Sequence, residues 1–511
     1  MSDDTLEPTA IARRLERRLK SDDAVDSPTL PTLSAIQSAE AALAAVTDRH
    51  LSHGHESLPA AAVVAHILDD IVPALTGQAR TSRYYGFVTG GVLPVAEWAD
   101  NVVSRLDQNV QVHLPTQSVA TAVEDASLRM LAALLRLRPA DWPGRTLTTG
   151  ATASNVLGLA CGREAVLESR LRRAGVAAGV AELGLLSACR RAAVDEIQVL
   201  TSVGHSSLAK AAAVVGIGRA CVKDLGLGGK EPWRLDIDRL ERELQRPGVA
   251  SIIAISAGDV NTGRYALEGT AEWSRVRALA DKYASWIHVD GAFGIFTRLL
   301  GLVDEYSPLH RRLQGIELAD SITVDGHKIL NLPYDCGMFY TRSPAILSSV
   351  FANPNAAYLS SGPGSSIPSP LHIGLENSRR FRALPLYAAI LNEGKAGFGR
   401  LVAAMVDISR RIAAFLRDST HYELLPDGSA SLDDIFMIVL FRAKDDMLND
   451  VLVDRINETR QMYVSETSWG GSKAVRIAVS NWKVDVHRDF EIVAGILNAV
   501  AAGEKFDVGR R

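Results

Sequence analysis

The sequence predicts an α/β fold, in which a large domain with a mainly parallel seven-stranded sheet is followed by a smaller α+β domain at the C-terminal end. Three observations indicate this class. Short apolar runs recur between about residues 145 and 342, segments of helical length separate most of them, and the pattern changes after a stretch rich in Gly, Pro and Ser. Strands that alternate with helices are typical of parallel sheets covered on both faces.

The first part of the chain, residues 1–80, is predicted to form an N-terminal helical arm. Charged residues surround Pro28 and Pro31, and we expect the first 30 or so residues to be a loosely held segment that becomes ordered in an oligomer. From about residue 34 an Ala-rich pattern predicts helices up to about residue 136. An aromatic patch with glycines, at 84–91, interrupts this pattern.

Residues 81–375 are predicted to form the large domain. The segments between its strands, such as Thr270–Tyr283, have helical length and amphipathic spacing. In such folds the ligand chemistry lies in the loops at the carboxyl ends of the strands. The candidate strands are Thr146–Thr149, Ile197–Thr201, Ala220–Lys223, Ser251–Ser256, Trp286–Asp290, Ser321–Asp325 and Gly337–Thr341.

Residues 376–511 are predicted to form the small domain. It follows a break at 352–376 that is rich in Gly, Pro and Ser, which we expect to be a mobile loop. A long helix is predicted to begin near Ala383. Beyond it we expect the strands Phe436–Phe441 and Ala474–Val479 and the helices Met447–Thr459 and Asp489–Ala502.

The composition argues against several classes of protein. The chain carries 55 Lys and Arg against 59 Asp and Glu, a net charge of −4, whereas nucleic-acid-binding proteins usually carry a basic patch. No apolar run approaches the roughly 18 residues of a membrane span. The four cysteines form no CxxC pair, and the acidic N-terminus shows no apolar signal segment. We therefore expect a cytoplasmic protein with no nucleic-acid or membrane partner.

Two predicted strands end in groups that suit covalent chemistry. After Ser321–Asp325, His327 and Lys328 stand side by side in a polar turn. A lysine in a cleft can lose its proton by desolvation and attack an aldehyde, although a solvated surface lysine fits the same pattern. The strand Trp286–Asp290 ends in a carboxylate that needs a partner if buried. A protonated pyridine nitrogen is a suitable partner, and a helix cap is the competing interpretation.

Two further segments suit a flat, phosphorylated cofactor. The segment Thr148–Asn155 joins a strand to a helix through small residues, so a phosphate can approach the backbone N–H groups at the helix N-terminus. An ordinary cap by Thr152 or Ser154 is the alternative. His205 opens another helix, where a neutral ring could stack on a cofactor or have no role. Together, the four segments supply what pyridoxal 5′-phosphate (PLP) requires.

Three blocks of sequence carry a resemblance to a known family. DSITVDGHKILNLPYDCG (320–337), HSSLAKAA (205–212) and HVDGAFG (288–294) resemble the group II PLP-dependent amino-acid decarboxylases. This resemblance implies the PLP-dependent transferase fold type I, which is aspartate-aminotransferase-like. It also implies a homodimer with the active site at the interface, and decarboxylation of an L-amino acid to the amine and CO₂.

The resemblance assigns roles to individual residues. Lys328 would bind the cofactor aldehyde, Asp290 would hold the ring nitrogen, and the catalytic His205 would stack on the ring. Tyr358, in the Gly/Pro/Ser-rich loop, would protonate the substrate carbon after CO₂ leaves. The other cofactor contacts would come from Ala151, Thr152, Ala292 and His327, and Arg379 and Arg380 match a pair of family arginines.

The substrate side is predicted from segments near the N-terminus. The aromatic patch and the stretch 108–114 resemble family segments that line the substrate pocket, which suggests Tyr84, Tyr85, Phe87 and His113 as substrate contacts. Core packing is the competing role for the two tyrosines. Because few charges occur between Arg83 and Ala99, an aromatic or apolar substrate is slightly favoured.

Alternative functions differ in how well they fit. A PLP-dependent carbon–carbon lyase or a decarboxylating oxidative deaminase would use the same scaffold. A nucleotide enzyme does not fit, because Gly226–Lys230 lacks the GxxxxGK[ST] spacing of a phosphate loop. The cluster of His50, His53, His55 and Glu56 is better explained as a solvated loop, so we predict no metal site.

Overall fold

The computed structural model describes residues 13–16, 28–52, 57–229, 231–353, 366–428 and 431–506. It contains a seven-stranded sheet between residues 144 and 341 and a four-stranded sheet between residues 422 and 478. The predicted α/β class, with a large, mainly parallel sheet and a smaller α+β part after it, is therefore confirmed. No helix within these residues is long and apolar enough to cross a membrane.

Helices surround both sheets. A π-helical turn, His66–Ile71, follows the second of them, and short 3₁₀ turns connect others. The α-helices are α1 (Leu33–Ser52), α2 (Ala60–Ala65), α3 (Pro94–Leu106), α4 (Ala120–Leu134), α5 (Ala151–Arg173), α6 (Val180–Leu183), α7 (Leu185–Arg191), α8 (Ser206–Val214), α9 (Ile237–Leu244), α10 (Gly269–Tyr283), α11 (Ser307–Arg312), α12 (Pro344–Phe351), α13 (Ala383–Asp418), α14 (Asp446–Glu458) and α15 (Val486–Ala502).

The large sheet has the strand order β1-β7-β6-β5-β4-β2-β3. Neighbouring strands from β6 to β3 run parallel, and β7 runs antiparallel to both of its neighbours. Only residues 326–336 join β6 to β7, which is too short for a crossover helix. The strands are β1 (Gly144–Thr148), β2 (Glu196–Thr201), β3 (Val222–Asp224), β4 (Val249–Ser256), β5 (Trp286–Asp290), β6 (Ser321–Asp325) and β7 (Gly337–Thr341).

The core lies on both faces of this sheet. All eight residues of β4 are buried, as expected for a strand covered on both sides. Ile252 packs in one apolar cluster with residues of α5, whereas its neighbour Ile253 packs in the other cluster with residues of α10. This alternation follows from the two-residue period of a strand. Because β1, β2, β4, β5 and β6 run in the same direction, their carboxyl ends lie together at one edge of the sheet.

The smaller sheet is antiparallel throughout, in the order β10-β11-β9-β8. The long helix α13 packs against it and is interrupted at Gly394, where φ is +56°. The predicted strands and helices of this region are present, and two strands that were not predicted join them. The strands are β8 (Tyr422–Leu425), β9 (Ile438–Ala443), β10 (Ser465–Trp469) and β11 (Ser472–Ala478).

Residues 83–86 connect the N-terminal part of the chain to the small sheet. The backbone N–H of Tyr85 donates to the Tyr463 carbonyl at 2.7 Å, and the Ala478 N–H donates to the Tyr85 carbonyl at 2.9 Å. Beside them, Arg83 and Asp489 form a buried ion pair at 3.3 Å. The start of the aromatic patch is thus held against the end of β11.

Candidate active site

A cavity of about 550 Å³ opens at the carboxyl ends of β1, β2, β4, β5 and β6. Each of these strands is followed by a loop that contributes to the cavity wall, as the rule for open α/β sheets predicts. The sequence-predicted residues that line it are Phe87, Ala151, Thr152, His205, Asp290, Ala292, His327 and Lys328. The structure therefore brings together residues that are up to 241 positions apart, since Phe87 and Lys328 share one wall.

Lys328 lies in the turn that follows β6. Its Nζ is 2.9 Å from Oδ2 of Asp325, the last residue of that strand. The Asp325 side chain is buried, and the lysine side chain is partly open to the cavity. The ion pair holds the amine at the wall of the cavity, where a bound aldehyde could reach it.

The loop between β1 and α5 forms a cradle of backbone groups. Gly150 precedes the 23-residue helix with a φ of +149°, and no side chain caps the helix N-terminus. A Cβ atom on Gly150 would lie 3.0 Å from Cε1 of His327, so a larger residue would crowd the cradle. Free N–H groups and the helix dipole both favour an anion at this position.

His327 forms the opposite side of the cradle. Its Nδ1 accepts a hydrogen bond from the Cys336 backbone N–H at 3.2 Å, so a neutral ring carries its proton on Nε2. Burial lowers the pKa of His327, which favours this neutral form. The ring of Tyr334 lies 4.5 Å from the His327 ring, centre to centre. Tyr334 also lines the cavity, and burial raises the pKa of its phenol to about 12.

Asp290 and His205 reach the cavity from β5 and from the start of α8. Oδ2 of Asp290 accepts a hydrogen bond from Asn155 Nδ2 at 2.9 Å, and Oδ1 accepts one from the Ala292 N–H at 3.2 Å. Nδ1 of His205 accepts from the Ser207 N–H at 3.1 Å. Burial lowers the pKa of His205 although its ring is exposed to the cavity, so the ring is a flat, neutral surface.

Arg476 is a cavity residue that sequence reasoning missed. It comes from β11, and its Nη1 and Nη2 donate to the carbonyls of Val260 and Gly86 at 3.0 and 2.6 Å. Its buried Nε has no hydrogen-bond partner among the described residues. The sequence feature that could have identified Arg476 is its position inside the apolar run of β11. A buried guanidinium needs polar partners, so an arginine in such a run deserves consideration as a site residue.

Three of the four predicted substrate contacts are not brought into this cavity. Tyr85 is fully buried in the core, and His113 is buried with its Nδ1 2.7 Å from Thr121 Oγ1. The ring of Tyr84 packs 4.9 Å from that of Tyr463, between the patch and the small sheet. The Tyr85 ring packs in the core, as the competing role predicts, although its buried hydroxyl has no hydrogen-bond partner among the described residues. Only Phe87 lines the cavity.

The remaining predicted residues have other positions. Arg379 forms a buried ion pair with Glu124, and Arg380 lies 2.7 Å from Asp100. Tyr358 lies outside the described residues, as do His53 and His55. Within the part of the chain that the structure describes, no three His, Cys, Asp or Glu side chains are grouped to hold a metal ion.

The donor set of the cavity fits PLP. An uncapped helix N-terminus suits the phosphate, Lys328 suits the aldehyde, and the Asp290 carboxylate suits a protonated ring nitrogen. The buried Oδ1 of Asp325 has no hydrogen-bond partner among the described residues, which is typical of a wall built for a polar ligand. These features lie around one cavity that is large enough for a cofactor and a small substrate.

Comparisons with known proteins agree with this chemistry. The family model described as the pyridoxal-dependent decarboxylase conserved domain matches residues 99–444. An L-2,4-diaminobutyrate decarboxylase of Acinetobacter baumannii is 26% identical over 70% of this chain and 69% of its own. Tryptophan decarboxylase 1 of Oryza sativa subsp. japonica is 24% identical over 84% of this chain and 82% of its own.

A crystal structure of Oryza sativa TDC with PLP and tryptamine shares the fold. Its TM-score is 0.78 at 21% identity, over 98% of this chain and 99% of that chain. The predicted fold type and the predicted cofactor are therefore confirmed. Because the family model covers well over half of the sequence, the chain belongs to the family of pyridoxal-dependent decarboxylases.

Proposed function

We propose that the protein decarboxylates an L-amino acid with an aromatic or apolar side chain and releases the amine and CO₂. The observation that carries this proposal is the placement of Lys328, Asp290 and His205 around one cavity whose remaining wall is mainly apolar. The apolar wall consists of Phe87, Val88, Val260, Ala292 and Phe293, with the ring of Tyr334 beside it.

The cofactor supplies an electron sink: when bound, its protonated pyridine ring takes up the electrons that CO₂ leaves behind. Lys328 would hold the cofactor through its aldehyde, with the amine positioned by Asp325. Asp290 keeps a proton on the ring nitrogen through a charge-assisted hydrogen bond. His205 provides a neutral, flat surface that covers the ring and excludes water from one side.

Arg476 is our candidate for the residue that orients the substrate carboxylate. Arg476 lines the cavity, and its guanidinium offers a substrate carboxylate a positively charged hydrogen-bond donor. Two of its other N–H groups are held by Val260 and Gly86, so the guanidinium plane is fixed before substrate binds. A fixed plane can orient the carboxylate relative to the cofactor ring.

The side-chain preference follows from the rest of the wall. Among the described lining residues, the carboxylates are Asp290, which is assigned to the ring nitrogen, and Asp325, which is buried and paired with Lys328 through Oδ2. A cationic side chain such as that of diaminobutyrate therefore has no free carboxylate to bind. The similarity to a tryptophan decarboxylase supports an aromatic substrate.

We also propose a homodimer. The helices α1 and α2 bury only Ala39 between them within a single chain. They and the following turn expose apolar side chains, among them Leu43, Leu51, Val63 and Ile67. Such a set of exposed apolar residues is typical of an interface with another subunit.

The proposal is tested by offering the PLP-loaded enzyme a panel of amino acids. The panel contains tryptophan, tyrosine, phenylalanine, leucine, aspartate, glutamate and 2,4-diaminobutyrate, and both CO₂ and the organic product are measured. We expect the highest kcat/KM among the aromatic and apolar members. A preference for aspartate or diaminobutyrate would contradict the substrate class. An aldehyde with ammonia in place of the amine would contradict the reaction.

A further inference from the structure

We infer that Asn155, held by His288 and Thr323, is a positioning residue that fixes both Asp290 and His205 against the cofactor. The inference goes beyond the proposed function but rests on it, since it needs Asp290 to act on the ring nitrogen. Asn155 lies in the second turn of α5, and its side chain is fully buried behind the cavity wall.

All four hydrogen-bonding positions of the Asn155 amide are occupied. Its Oδ1 lies 3.0 Å from His288 Nε2 and 3.0 Å from Thr323 Oγ1. Its Nδ2 donates to Asp290 Oδ2 at 2.9 Å and to Ser207 Oγ at 3.2 Å. A primary amide offers two acceptor sites and two donors, so this side chain has no unused group.

The Asp290 carboxylate, which can only accept, sets the direction of the bonds around Asn155. Trp286 Nε1, which can only donate, donates to Ser321 Oγ at 2.9 Å. The Ser321 hydroxyl proton can then go to His288 Nδ1, which lies 2.8 Å away. Because the Asn155 NH₂ group faces the Asp290 carboxylate, its oxygen faces His288 Nε2, so the neutral His288 ring carries its proton on Nε2 and donates it to that oxygen.

The opposite amide orientation is excluded by the same partners. If Oδ1 and Nδ2 of Asn155 exchanged places, the amide oxygen would face the Asp290 carboxylate and the NH₂ group would face the N–H of His288. Burial lowers the pKa of His288 to about 4, so the ring stays neutral near pH 7. Near that pH the network has one protonation state and one set of donors.

The network reaches both faces of the cofactor site. On one side, the Asn155 amide donates to the Asp290 carboxylate at the end of β5. On the other side, it donates to Ser207, whose hydroxyl lies 2.7 Å from His205 Nδ1. Because Ser207 donates to Nδ1, the neutral His205 ring also carries its proton on Nε2. The Ser207 backbone N–H donates to the same Nδ1 at 3.1 Å, and the Asn155 amide holds the Ser207 hydroxyl beside it, so one buried amide contacts both Asp290 and the serine that holds His205.

Helix α5 leaves room for this arrangement at Gly158. A Cβ atom at that position would lie 2.2 Å from Cε1 of His288. Glycine is unfavourable inside a helix, and here its missing side chain provides the space for the imidazole. Simple satisfaction of buried polar groups is the competing explanation, and it predicts an effect on stability alone.

The test compares Asn155→Ala and His288→Phe with three reference variants. Asp290→Asn removes the proposed partner of the ring nitrogen. His288→Gln retains a donor toward Asn155 and an acceptor toward Ser321. Gln198→Ala removes an equally buried hydrogen-bonding side chain from β2, bonded to Ser251 on the same sheet, and controls for destabilisation. Thermal midpoint, PLP dissociation constant, the pH dependence of the bound cofactor's absorbance, kcat and KM are measured for each.

We expect Asn155→Ala and His288→Phe to lower kcat by about tenfold or more, because small misplacements of positioned groups have effects of this size. KM should stay within about twofold, since the substrate contacts are unchanged. The absorbance of the bound cofactor should change with pH as in Asp290→Asn, and His288→Gln should restore most of the parent behaviour. In the double variant of Asn155→Ala and Asp290→Asn, the two losses should not add.

Two outcomes overturn different parts of the argument. If Asn155→Ala lowers only the thermal midpoint, as Gln198→Ala does, the network stabilises the fold and positions nothing. If Asp290→Asn itself leaves absorbance and kcat unchanged, the proposed role of Asp290 is wrong instead. If His288→Phe does not fold, Asn155→Ala and His288→Gln still decide, because both replacements are no larger than the residue they replace.

Discussion

The Nζ atom of Lys328 lies 2.9 Å from Oδ2 of Asp325, three positions earlier in the chain. The carboxylate ends β6 and is buried, so it fixes the amine at the edge of the sheet where the other cavity-lining groups lie. His327 stands between them in sequence, with its Nε2 3.6 Å from the same carboxylate oxygen. The amine is therefore in place before cofactor binds.

We expect Lys328→Ala to lose covalent attachment of PLP and all measurable turnover, because no other amine lines the described part of the cavity. Borohydride reduction followed by peptide mapping should label Lys328 in the parent protein. The exposed Lys210 on α8 provides the matched control, and Lys210→Ala should behave as the parent. A label on any other lysine would show that Lys328 is not the attachment site.

Replacing Arg476 should affect substrate more than cofactor. We expect Arg476→Gln to raise KM by about tenfold, the equivalent of one charge-assisted hydrogen bond of about 1.4 kcal/mol, with an unchanged PLP dissociation constant. Arg476→Lys keeps the charge but not the fixed plane, so its KM should lie between that of the parent protein and that of Arg476→Gln. An equal loss in PLP affinity would assign Arg476 to the cofactor site.

The role of Tyr358 rests on the sequence resemblance. We expect Tyr358→Phe to bind PLP as the parent does but to form amine roughly 10²-fold more slowly, because a positioned proton donor is lost. An oxygen-dependent carbonyl product should appear as well. Stopped-flow spectra with product analysis measure both effects. Amine formation at the parent rate would remove Tyr358 from the mechanism.

The proposed dimer is tested by light scattering. We expect an active species of about twice the 54.9 kDa of one chain. Leu43→Glu places a charge on the exposed apolar surface of α1 and should shift the population toward single chains. Leu186→Glu is the control, since Leu186 is also an exposed leucine but lies on α7. If Leu43→Glu and Leu186→Glu give the same proportion of single chains, α1 does not form part of the subunit interface.

Burial of His288 makes the stability depend on pH. Because the folded state holds the ring neutral down to a pKa of about 4, whereas an unfolded histidine binds a proton near 6.5, folding releases a proton in this window. The contribution of His288 to the free energy of unfolding should be constant above pH 6.5. Below pH 6.5 the free energy of unfolding should fall by up to about 1.4 kcal/mol per pH unit until about pH 4. Thermal midpoints between pH 7.5 and 5 should fall more steeply for the parent than for His288→Gln. Parallel curves would contradict the neutral buried ring.

Most of the large sheet could be predicted from the sequence because its strands are short buried runs that end in polar turns. The bounds of β5, β6 and β7 agree with the prediction at both ends. The strand β10 was not predicted because its residues, Ser465–Trp469, alternate between partly buried and exposed and carry few apolar side chains. The strand β8 is only four residues long and is followed at once by Pro426.

The cofactor side of the site was predictable for a related reason. Lys328 and Asp290 lie in compact motifs at strand ends, where the local pattern suggests their chemistry. Asn155 and Arg476 carry no such motif, because their partners come from distant parts of the chain. Tyr85 shows that an aromatic residue beside a predicted pocket can be turned into the core by the backbone that carries it.

The position of Arg476 has a consequence for how the protein is synthesised. The cofactor-facing residues from Ala151 to Lys328 leave the ribosome well before β11, and domains generally begin to fold in that order. The wall formed by Gly86, Val260 and Arg476 closes only when nearly the whole chain has emerged. A nascent chain, or one that is truncated before β11, therefore lacks this wall, and Arg476 is the last of the cavity-lining residues that the growing polypeptide acquires.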